Sequence, residues 1–453
     1  MIWTNDPIRL MLVAGFSVSY ALVCLAPYLR TRRKRLAAQR AKEEAAASPG
    51  WIIAYASQTG NAEELAGQTL ATLKLAGIPA QLSELSELGA DDLLRAERVL
   101  FLVSTYGEGD APDAAAAFSG RLMTQGLALP KLHYAVLALG DSSYAHYCGF
   151  GRALDQWLGE QGAQSLFPRI DVDRSSSEAI GRWRQQLSHL AGTSDAPDWS
   201  APAFDDWRLV ERTQLNAGSA GAPVYHLELE PSAGAAPAWQ SGDLVQIAAP
   251  ADPSHAREYS IASIPADGRV HLLVRLHSHD DGSHGVASGW LTQQARVGET
   301  VQLRLRQHSR FRLEDNAARP LILIGNGSGI AGLRGHLRAR ALAGRGRNWL
   351  LFGERNSAFD FHYRAELDAL RLAGRLTLDL AWSRDGGAER YVQDLLPARA
   401  DQLRAWVADG AAIYVCGSLQ GMAAGVDHAL QEILGRDQLD NLVAEKRYQR
   451  DVY

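Results

Sequence analysis

In the first third of the chain beyond residue 50, apolar and polar stretches alternate regularly. Apolar, strand-like runs at 51–56, 99–103 and 134–139 alternate with helical patterns, of which the clearest is 62–75. Strands that alternate with helices are typical of a doubly wound parallel sheet. We therefore predict an α/β domain over 51–195.

The pattern of hydrophobic and polar positions changes after the small, polar residues at 191–202. Short alternating strands follow at 224–229, 243–247 and 270–275, separated by turn-forming residues. This spacing predicts an antiparallel β-barrel, which we place at 203–315. From 316 to 453 apolar strands again alternate with helical patterns, which predicts a second α/β domain.

An apolar segment precedes these domains. Residues 10–28 contain no charged side chain, and as a helix they would measure about 28 Å, close to the thickness of the bilayer's hydrocarbon core. The basic cluster at 30–35 follows it, which predicts a single-pass anchor over 1–35 with the remaining chain in the cytoplasm, at the inner membrane. Residues 36–50 predict a helical linker. A buried core helix or a signal peptide is the alternative for the apolar segment.

Composition limits the classes of function. A formal net charge of -5 gives no electrostatic support for a nucleic-acid partner. The three cysteines, Cys24, Cys148 and Cys416, are too scattered for a disulfide framework or a CxxC metal site. We therefore predict no nucleic-acid partner and no bound metal.

Polar loops follow three of the apolar strands in the first domain. The loop at 57–61 stands before a helix, where hydroxyls and backbone N–H groups can surround a phosphate, but it lacks the lysine and the spacing of a nucleoside-triphosphate loop. Ligands of doubly wound sheets bind at the carboxyl ends of the strands, so we expect one shared site. Its candidate residues are Ser57, Gln58, Thr59, Gly60, Asn61, Ser104, Thr105, Tyr106, Gly107, Gly140, Asp141 and Tyr144.

The predicted barrel contains the motif 257–260, which we place at the start of a strand. Its Arg257, Tyr259 and Ser260 offer a cation for a pyrophosphate, a flat face for a flavin ring and a hydrogen bond to the ring's edge. Downstream, Gly285, Val286 and Ser288 open an apolar helix whose N-terminus suits a diphosphate. By itself a motif of this length is more often an ordinary exposed strand, and only its neighbours favour the flavin site.

A glycine-rich loop follows the strand at 320–324. It is not the GxGxxG fingerprint, because Ile330 stands where the last glycine would be. Further along the chain, hydrogen-bond donors would suit a dianionic 2′-phosphate and favour NADPH over NADH: Ser383, Arg384, Tyr391 and Gln393. For Arg384, a solvated surface charge is the alternative. The candidate coenzyme residues are Gly327, Ser328, Gly329, Arg355, Ser383, Arg384, Tyr391 and Gln393.

These motifs, in this order, resemble the diflavin reductases. The three polar loops are similar to those of the flavodoxin family, and 257–260 with 285–288 resembles the FAD site of the ferredoxin-NADP reductase family. The C-terminal 446–453 resembles the tail of sulfite reductase flavoproteins and microsomal cytochrome reductases. The resemblance implies bound FMN, FAD and NADPH, Tyr106 and Tyr144 around the FMN ring, Tyr453 over the FAD ring, and a hydride path lined by Ser260, Cys416 and Asp451.

The resemblance also implies a redox partner, which could be a haem, sirohaem or iron-reducing membrane protein. Two other functions stay open: the reductase part of a membrane ferric-siderophore or haem-reducing assembly, and an FMN electron carrier with a vestigial NADPH site. One departure is visible. Only 248–256 separate a barrel strand from Arg257, where members of this family usually insert a helical connecting domain. The relative placement of the two flavin domains is therefore open.

Overall fold

The structure is a computed structural model that describes residues 50–191, 203–234, 238–279 and 281–453. The predicted anchor at 10–28 and nearly all of the predicted linker lie outside these residues. Within the described ranges no helix is long and apolar enough to cross a membrane.

The first domain is a six-stranded parallel sheet in the order β2-β1-β3-β4-β5, with β6 also paired to β4. Its strands carry apolar residues on both faces: Ile53 and Leu137 belong to one core cluster, and Phe101 and Val136 to the other. Burial on both faces explains the continuous apolar runs, and the predicted doubly wound α/β sheet is confirmed. The elements are β1 (Trp51–Ala56), α1 (Asn61–Leu75), β2 (Ala80–Glu84), α2 (Ala90–Arg95), β3 (Arg98–Ser104), α3 (Asp113–Ala117), β4 (His133–Gly140), α4 (Gly149–Glu160), β5 (Gln164–Ser165), β6 (Ile170–Asp173) and α5 (Ser177–Ala191).

The second domain is a six-stranded antiparallel sheet in the order β10-β9-β12-β7-β8-β11. The N–H of Ala262, just beyond β10, donates to the carbonyl of His271 in β11 at 2.8 Å, so the two ends of the sheet approach each other as in a barrel. Leu227, Ile247 and Leu303 lie in the enclosed core. The elements are β7 (Asp205–Gln214), β8 (Val224–Pro231), β9 (Leu244–Ala249), β10 (Asp252–Ser260), β11 (Val270–Arg275), α6 (Val286–Gly289) and β12 (Thr300–Arg306).

The motif 257–260 lies at the end of β10, not at the start of a strand as predicted. The polar residues from Asp252 onwards join the strand, with an irregular register between Asp252 and Arg257. Asp252 pairs with Ala249 of β9 and regular pairing resumes at Arg257, and the residues between them have no apolar alternation by which a strand could be recognised.

The third domain is a five-stranded parallel sheet in the order β15-β14-β13-β16-β17. The chain order reverses between β13 and β16, which is where ligands of such sheets bind. Because β17 is the last element, it brings the C-terminus to this crevice. The elements are β13 (Leu321–Asn326), α7 (Ile330–Leu342), β14 (Asn348–Glu354), α8 (Arg364–Leu372), β15 (Thr377–Trp382), α9 (Val392–Ala398), α10 (Ala400–Ala408), β16 (Ala412–Gly417), α11 (Ala424–Leu434), α12 (Arg436–Ala444) and β17 (Tyr448–Val452).

Candidate active site

The three polar loops of the first domain meet at one cavity of about 230 Å³. At Gly60 the backbone adopts a φ of 88° and turns directly into α1, a conformation that glycine adopts without strain. The hydroxyl of Ser57 accepts the N–H of Ala62 at 3.2 Å and so satisfies one free donor of that helix. The predicted residues that line the cavity are Gln58, Thr59, Asn61, Ser104, Thr105, Tyr106, Gly107, Gly140, Asp141 and Tyr144.

Three buried polar atoms from the residues lining this cavity have no hydrogen-bond partner among the described residues. They are Gln58 Oε1, Thr105 Oγ1 and the hydroxyl of Tyr106. Leaving such a group unsatisfied costs about 1–3 kcal/mol, so this set of donors and acceptors fits a polar ligand. With the hydroxyls of the phosphate-type loop and two tyrosines, the residues present fit FMN.

The predicted hydride-path residues come together between the barrel and the third sheet. The hydroxyl of Ser260 donates a hydrogen bond to Asp451 Oδ2 at 2.8 Å, and Cys416 Sγ lies 3.7 Å from the same oxygen. Cys416 and Asp451 are register partners on β16 and β17. Burial, and then the negative charge of Asp451, raise the pKa of the Cys416 thiol well above its ordinary value. The thiol therefore keeps its proton at neutral pH.

Tyr453 lies beside this group. Its backbone N–H donates to the carbonyl of Gly417 at 3.0 Å, and its hydroxyl donates to Ser328 Oγ at 3.3 Å. The side chain is 56% exposed, so little protein covers the ring. Tyr453 and Val452 also line the cavity formed by the FMN loops. The end of the third domain therefore lies against the site in the first.

The roles of the candidate FAD residues in the barrel stay predictions. Arg257 is partly exposed and lies 3.9 Å from Asp252, while the ring of Tyr259 packs against the barrel core. In α6, Ser288 Oγ accepts the N–H of His277 at 3.2 Å and lies 3.3 Å from the carbonyl of Gly285. Its hydroxyl thus fixes the turn that precedes the helix. Val286 at the start of that helix is 41% exposed.

The glycine-rich loop lies at the switch point of the third sheet. Gly327 has a φ of 56°, and a side chain at Gly329 would lie 2.1 Å from the carbonyl oxygen of Cys416. Gly327 therefore needs glycine for its backbone angle, and Gly329 needs it for close contact. This loop brings Ser328 within reach of Tyr453.

The predicted coenzyme residues beyond the glycine-rich loop form a partly exposed group at the ends of β14 and β15 and at the start of α9. The N–H of Arg384 donates to the carbonyl of Arg355 at 2.8 Å, which joins the two segments, and Gln393 Oε1 is buried without a partner among the described residues. Arg390, which the sequence did not single out, lies over the ring of Tyr391 and donates to the carbonyl of Ser383 at 3.1 Å. A second cation therefore stands beside the predicted donors, and an arginine next to a donor group is the signal that could have found it.

Comparisons with known proteins agree with these two halves. The flavodoxin family model matches residues 53–183, and the model of the oxidoreductase NAD-binding domain matches residues 323–428. The sulfite reductase [NADPH] flavoprotein alpha-component of Thiocapsa roseopersicina is 33% identical over 442 residues, which covers 84% of this chain and 83% of that protein. The chain belongs to this flavoprotein family. The predicted relationship to diflavin reductases is confirmed, and the chain is a flavoprotein oxidoreductase that uses FMN, FAD and NADPH.

Other members of the sulfite reductase flavoprotein family are longer in part of their sequence. The alpha-component of Vibrio cholerae serotype O1 (strain ATCC 39315 / El Tor Inaba N16961) is 30% identical over 542 aligned positions, covering 90% of this chain and 88% of the relative. That of Neisseria meningitidis strain Z2491 is 29% identical over 537 positions, covering 88% and 89%. Both alignments exceed the 453 residues of this chain, so these relatives contain residues without a counterpart here.

In this member of the family the FMN domain contacts the other two domains directly. Arg450 of β17 forms a two-pronged ion pair with Asp113 at the start of α3, and Arg310 pairs with Glu84. Ser309 donates to Glu63 Oε2 at 2.8 Å. The sequence analysis missed these contacts, because they join residues more than 200 positions apart and have no local signature.

One group of side chains within the described residues has the spacing of metal ligands: His226, Glu228 and His271 on the outer face of the barrel. Arg269 donates to Glu228 Oε2 at 2.7 Å, and Arg334 of α7 lies 3.3 Å from His271 Nδ1. Because arginine can only donate, His271 Nδ1 accepts and the ring proton stands on Nε2, which faces Glu228. The group therefore forms a hydrogen-bonded network between the barrel and the third domain.

Proposed function

We propose that this flavoprotein passes electrons from NADPH through FAD to FMN and then to a haem or sirohaem protein. One observation carries the proposal: the C-terminal Val452 and Tyr453 line the same cavity as the FMN loops. The predicted FAD cover and the predicted FMN site therefore share a wall, and short distances favour direct electron transfer between them. The relatives are named as components of sulfite reductase, which supports an acceptor of this kind.

When bound, FAD would supply a hydride acceptor and FMN a one-electron donor, and the chain supplies their binding contacts and hydrogen bonds. Asp451 accepts a hydrogen bond from the hydroxyl of Ser260 and faces the Cys416 thiol, so the three side chains hold one another in place. The weak, exposed bond between Tyr453 and Ser328 leaves the ring free to turn aside, which access of a nicotinamide to the covered face would require.

Flavin analysis and a reductive titration test the proposal. The purified full chain should release one FMN and one FAD per polypeptide on heating. Under anaerobic conditions NADPH should reduce both flavins, and the reduced protein should then reduce a sulfite reductase haemoprotein. Release of FAD alone would refute the FMN assignment, and two flavins that NADPH leaves oxidised would refute the proposed direction of electron flow.

The two alternative functions make different predictions. A vestigial NADPH site is opposed by the close-packed loop at Gly329 and by the Ser260, Cys416 and Asp451 cluster, which a pure electron carrier would not need. For a ferric-siderophore reductase, the reduced protein should oxidise faster with ferric chelates than with the haemoprotein.

Membrane attachment through 10–28 stays a prediction. Cell fractionation of the full chain and of a chain starting at residue 36 tests it, and equal distributions of the two would remove the anchor. The shorter chain should still reduce ferricyanide with NADPH, because no candidate residue precedes Ser57.

A further inference from the structure

The end of barrel strand β12 contacts the back of the FMN phosphate loop. Arg306 Nε donates to the carbonyl of Thr59 at 2.9 Å, and His308 Nε2 donates to the carbonyl of Gln58 at 2.9 Å. The two donors are buried, with exposures of 7% and 1%. A side chain at Gly60 would lie 3.0 Å from the carbonyl oxygen of Gln307, so the barrel and the loop are in van der Waals contact here.

These two hydrogen bonds act on consecutive peptide units of the loop. In a trans peptide the carbonyl and the following N–H point in opposite directions, so donors on the carbonyls of Gln58 and Thr59 leave the N–H groups of Thr59 and Gly60 directed away from the barrel. A hydrogen bond accepted by the carbonyl of a peptide polarises its N–H group, and the hydrogen bond that this N–H then donates is stronger by about 10–30% in condensed-phase estimates. The N–H groups should thereby become better donors for a phosphate.

The charge of Arg306 adds to this effect. The loop at 57–61 contains no lysine or arginine of its own. Arg306 is held from its own side by Glu258, whose Oε1 lies 3.3 Å from Nη1, and Nη2 lies 3.9 Å from Glu64 of the FMN domain. Neither terminal nitrogen makes a well-aligned hydrogen bond among the described residues. A positive charge from the barrel is therefore placed beside a loop whose expected ligand is a dianion.

We propose that Arg306 and His308 are positioning residues for the FMN phosphate, so that FMN binding and docking of the FMN domain on the barrel strengthen each other. The inference rests on the proposed FMN site. By linkage the coupling is reciprocal: docking raises FMN affinity by the same factor by which FMN favours docking. Couplings between sites are typically about 5- to 150-fold, which is the range we expect.

The first measurement is the FMN dissociation constant of the full-length chain, stripped of FMN and titrated by flavin fluorescence. Arg306→Ala and His308→Ala should each weaken binding at least about fivefold. Arg306→Lys keeps the charge but not the Nε donor and should be intermediate. His308→Gln can donate from nearly the same position and should restore most of the affinity.

The matched control is Arg310→Ala. Arg310 belongs to the same segment and the same interface, but it pairs with Glu84, and among the described residues it makes no hydrogen bond or ion pair with the phosphate loop. It should change FMN affinity much less than Arg306→Ala. An equal loss in both variants would show that FMN senses docking in general and would overturn the assignment to Arg306 and His308.

The second measurement is reciprocal and does not depend on activity. Small-angle scattering of the full chain should show a more compact particle with FMN than without it, and Arg306→Ala should reduce this difference. Unchanged FMN affinity in Arg306→Ala and His308→Ala would overturn the proposal. Failure of the unmodified chain to bind FMN would instead refute the proposed function.

Discussion

The ion pair between Asp113 and Arg450 should contribute more to domain docking than any exposed charge pair of the molecule. Arg450 Nε donates to Asp113 Oδ2 at 2.9 Å, a second nitrogen bonds the other oxygen, and the two side chains are only 17% and 18% exposed. Removing one partner from a buried pair costs about 3–5 kcal/mol, because the remaining charge is left without compensation. Asp427 lies 3.6 Å from Arg450 and would compensate in part, so we expect the lower end of this range for Asp113→Asn.

A loss of about 3 kcal/mol lowers the docking equilibrium roughly a hundredfold. Stopped-flow reduction of the full chain with NADPH should then show FAD reduced at the normal rate and FMN reduced more slowly, since Asp113 has no contact with the hydride-path group. Asp409→Asn is the control. Asp409 pairs with Arg347 on the surface, with both side chains more than half exposed, and it should cost no more than about 1 kcal/mol.

The pair Asp113→Leu with Arg450→Met should recover much of the loss, because both charges of the buried pair are removed together. Asp427 then loses Arg450, but it is 40% exposed and keeps the hydrogen bond from the Tyr448 hydroxyl. A double-mutant cycle in urea unfolding and in FMN reduction measures the coupling. If Asp113→Asn behaves like Asp409→Asn in both assays, the ion pair does not hold the domains together in solution and the reasoning fails.

Two further predictions concern coenzyme choice and acid stability. Tyr453→Ala should raise NADH-dependent turnover more than NADPH-dependent turnover. Arg384→Ala should weaken NADPH binding by about 1.5–3 kcal/mol and leave NADH binding nearly unchanged. Steady-state kinetics with both coenzymes would contradict this if the ratio of NADPH-dependent to NADH-dependent activity stayed constant in both variants. Burial lowers the pKa of His336 to about 3, so it is neutral when folded and takes up a proton only on unfolding. Its contribution to stability is complete above about pH 6.5 and falls by about 1.4 kcal/mol per pH unit towards pH 3. In His336→Gln, the free energy of unfolding measured in urea should therefore fall less steeply as the pH is lowered from about 6.5 to about 3. An unchanged slope would exclude His336 as a cause of the acid sensitivity.

The parts of the fold that follow from local pattern were predictable from the sequence. The helix predicted at 62–75 is observed at Asn61–Leu75, and the three loops that follow apolar strands line one cavity. Both results depend on residues that are neighbours in the chain, where burial periodicity and turn chemistry act directly. The same locality explains why the glycine-rich loop could be placed before α7.

The contacts between domains were not predictable in this way. His308 and Gln58 are 250 residues apart, and Arg450 and Asp113 are 337 apart. Each of these side chains alone has the pattern of an ordinary surface residue, and only the docked arrangement makes it part of an interface. The motif 257–260 was misplaced for a related reason, since the strand begins at Asp252, which pairs with Ala249 of β9, and not at Arg257.

The short link between β9 and β10 gives these contacts their significance. β9 ends at Ala249 and β10 begins at Asp252, so this part of the chain has no room for the connecting domain that the family resemblance led us to expect. We expect complementary charge to help orient the FMN domain on the rest of the chain. The FMN domain contributes carboxylates, and the barrel and third domain contribute the cations that face them. The pairs are Glu64 with Arg306, Glu84 with Arg310 and Lys446, and Asp113 with Arg450. Because all of these carboxylates stand on the FMN domain and all of these cations on the other side, the two faces attract each other in any rotation. One orientation is selected only where a cation fits a particular carboxylate, as in the two-pronged pair of Arg450 with Asp113.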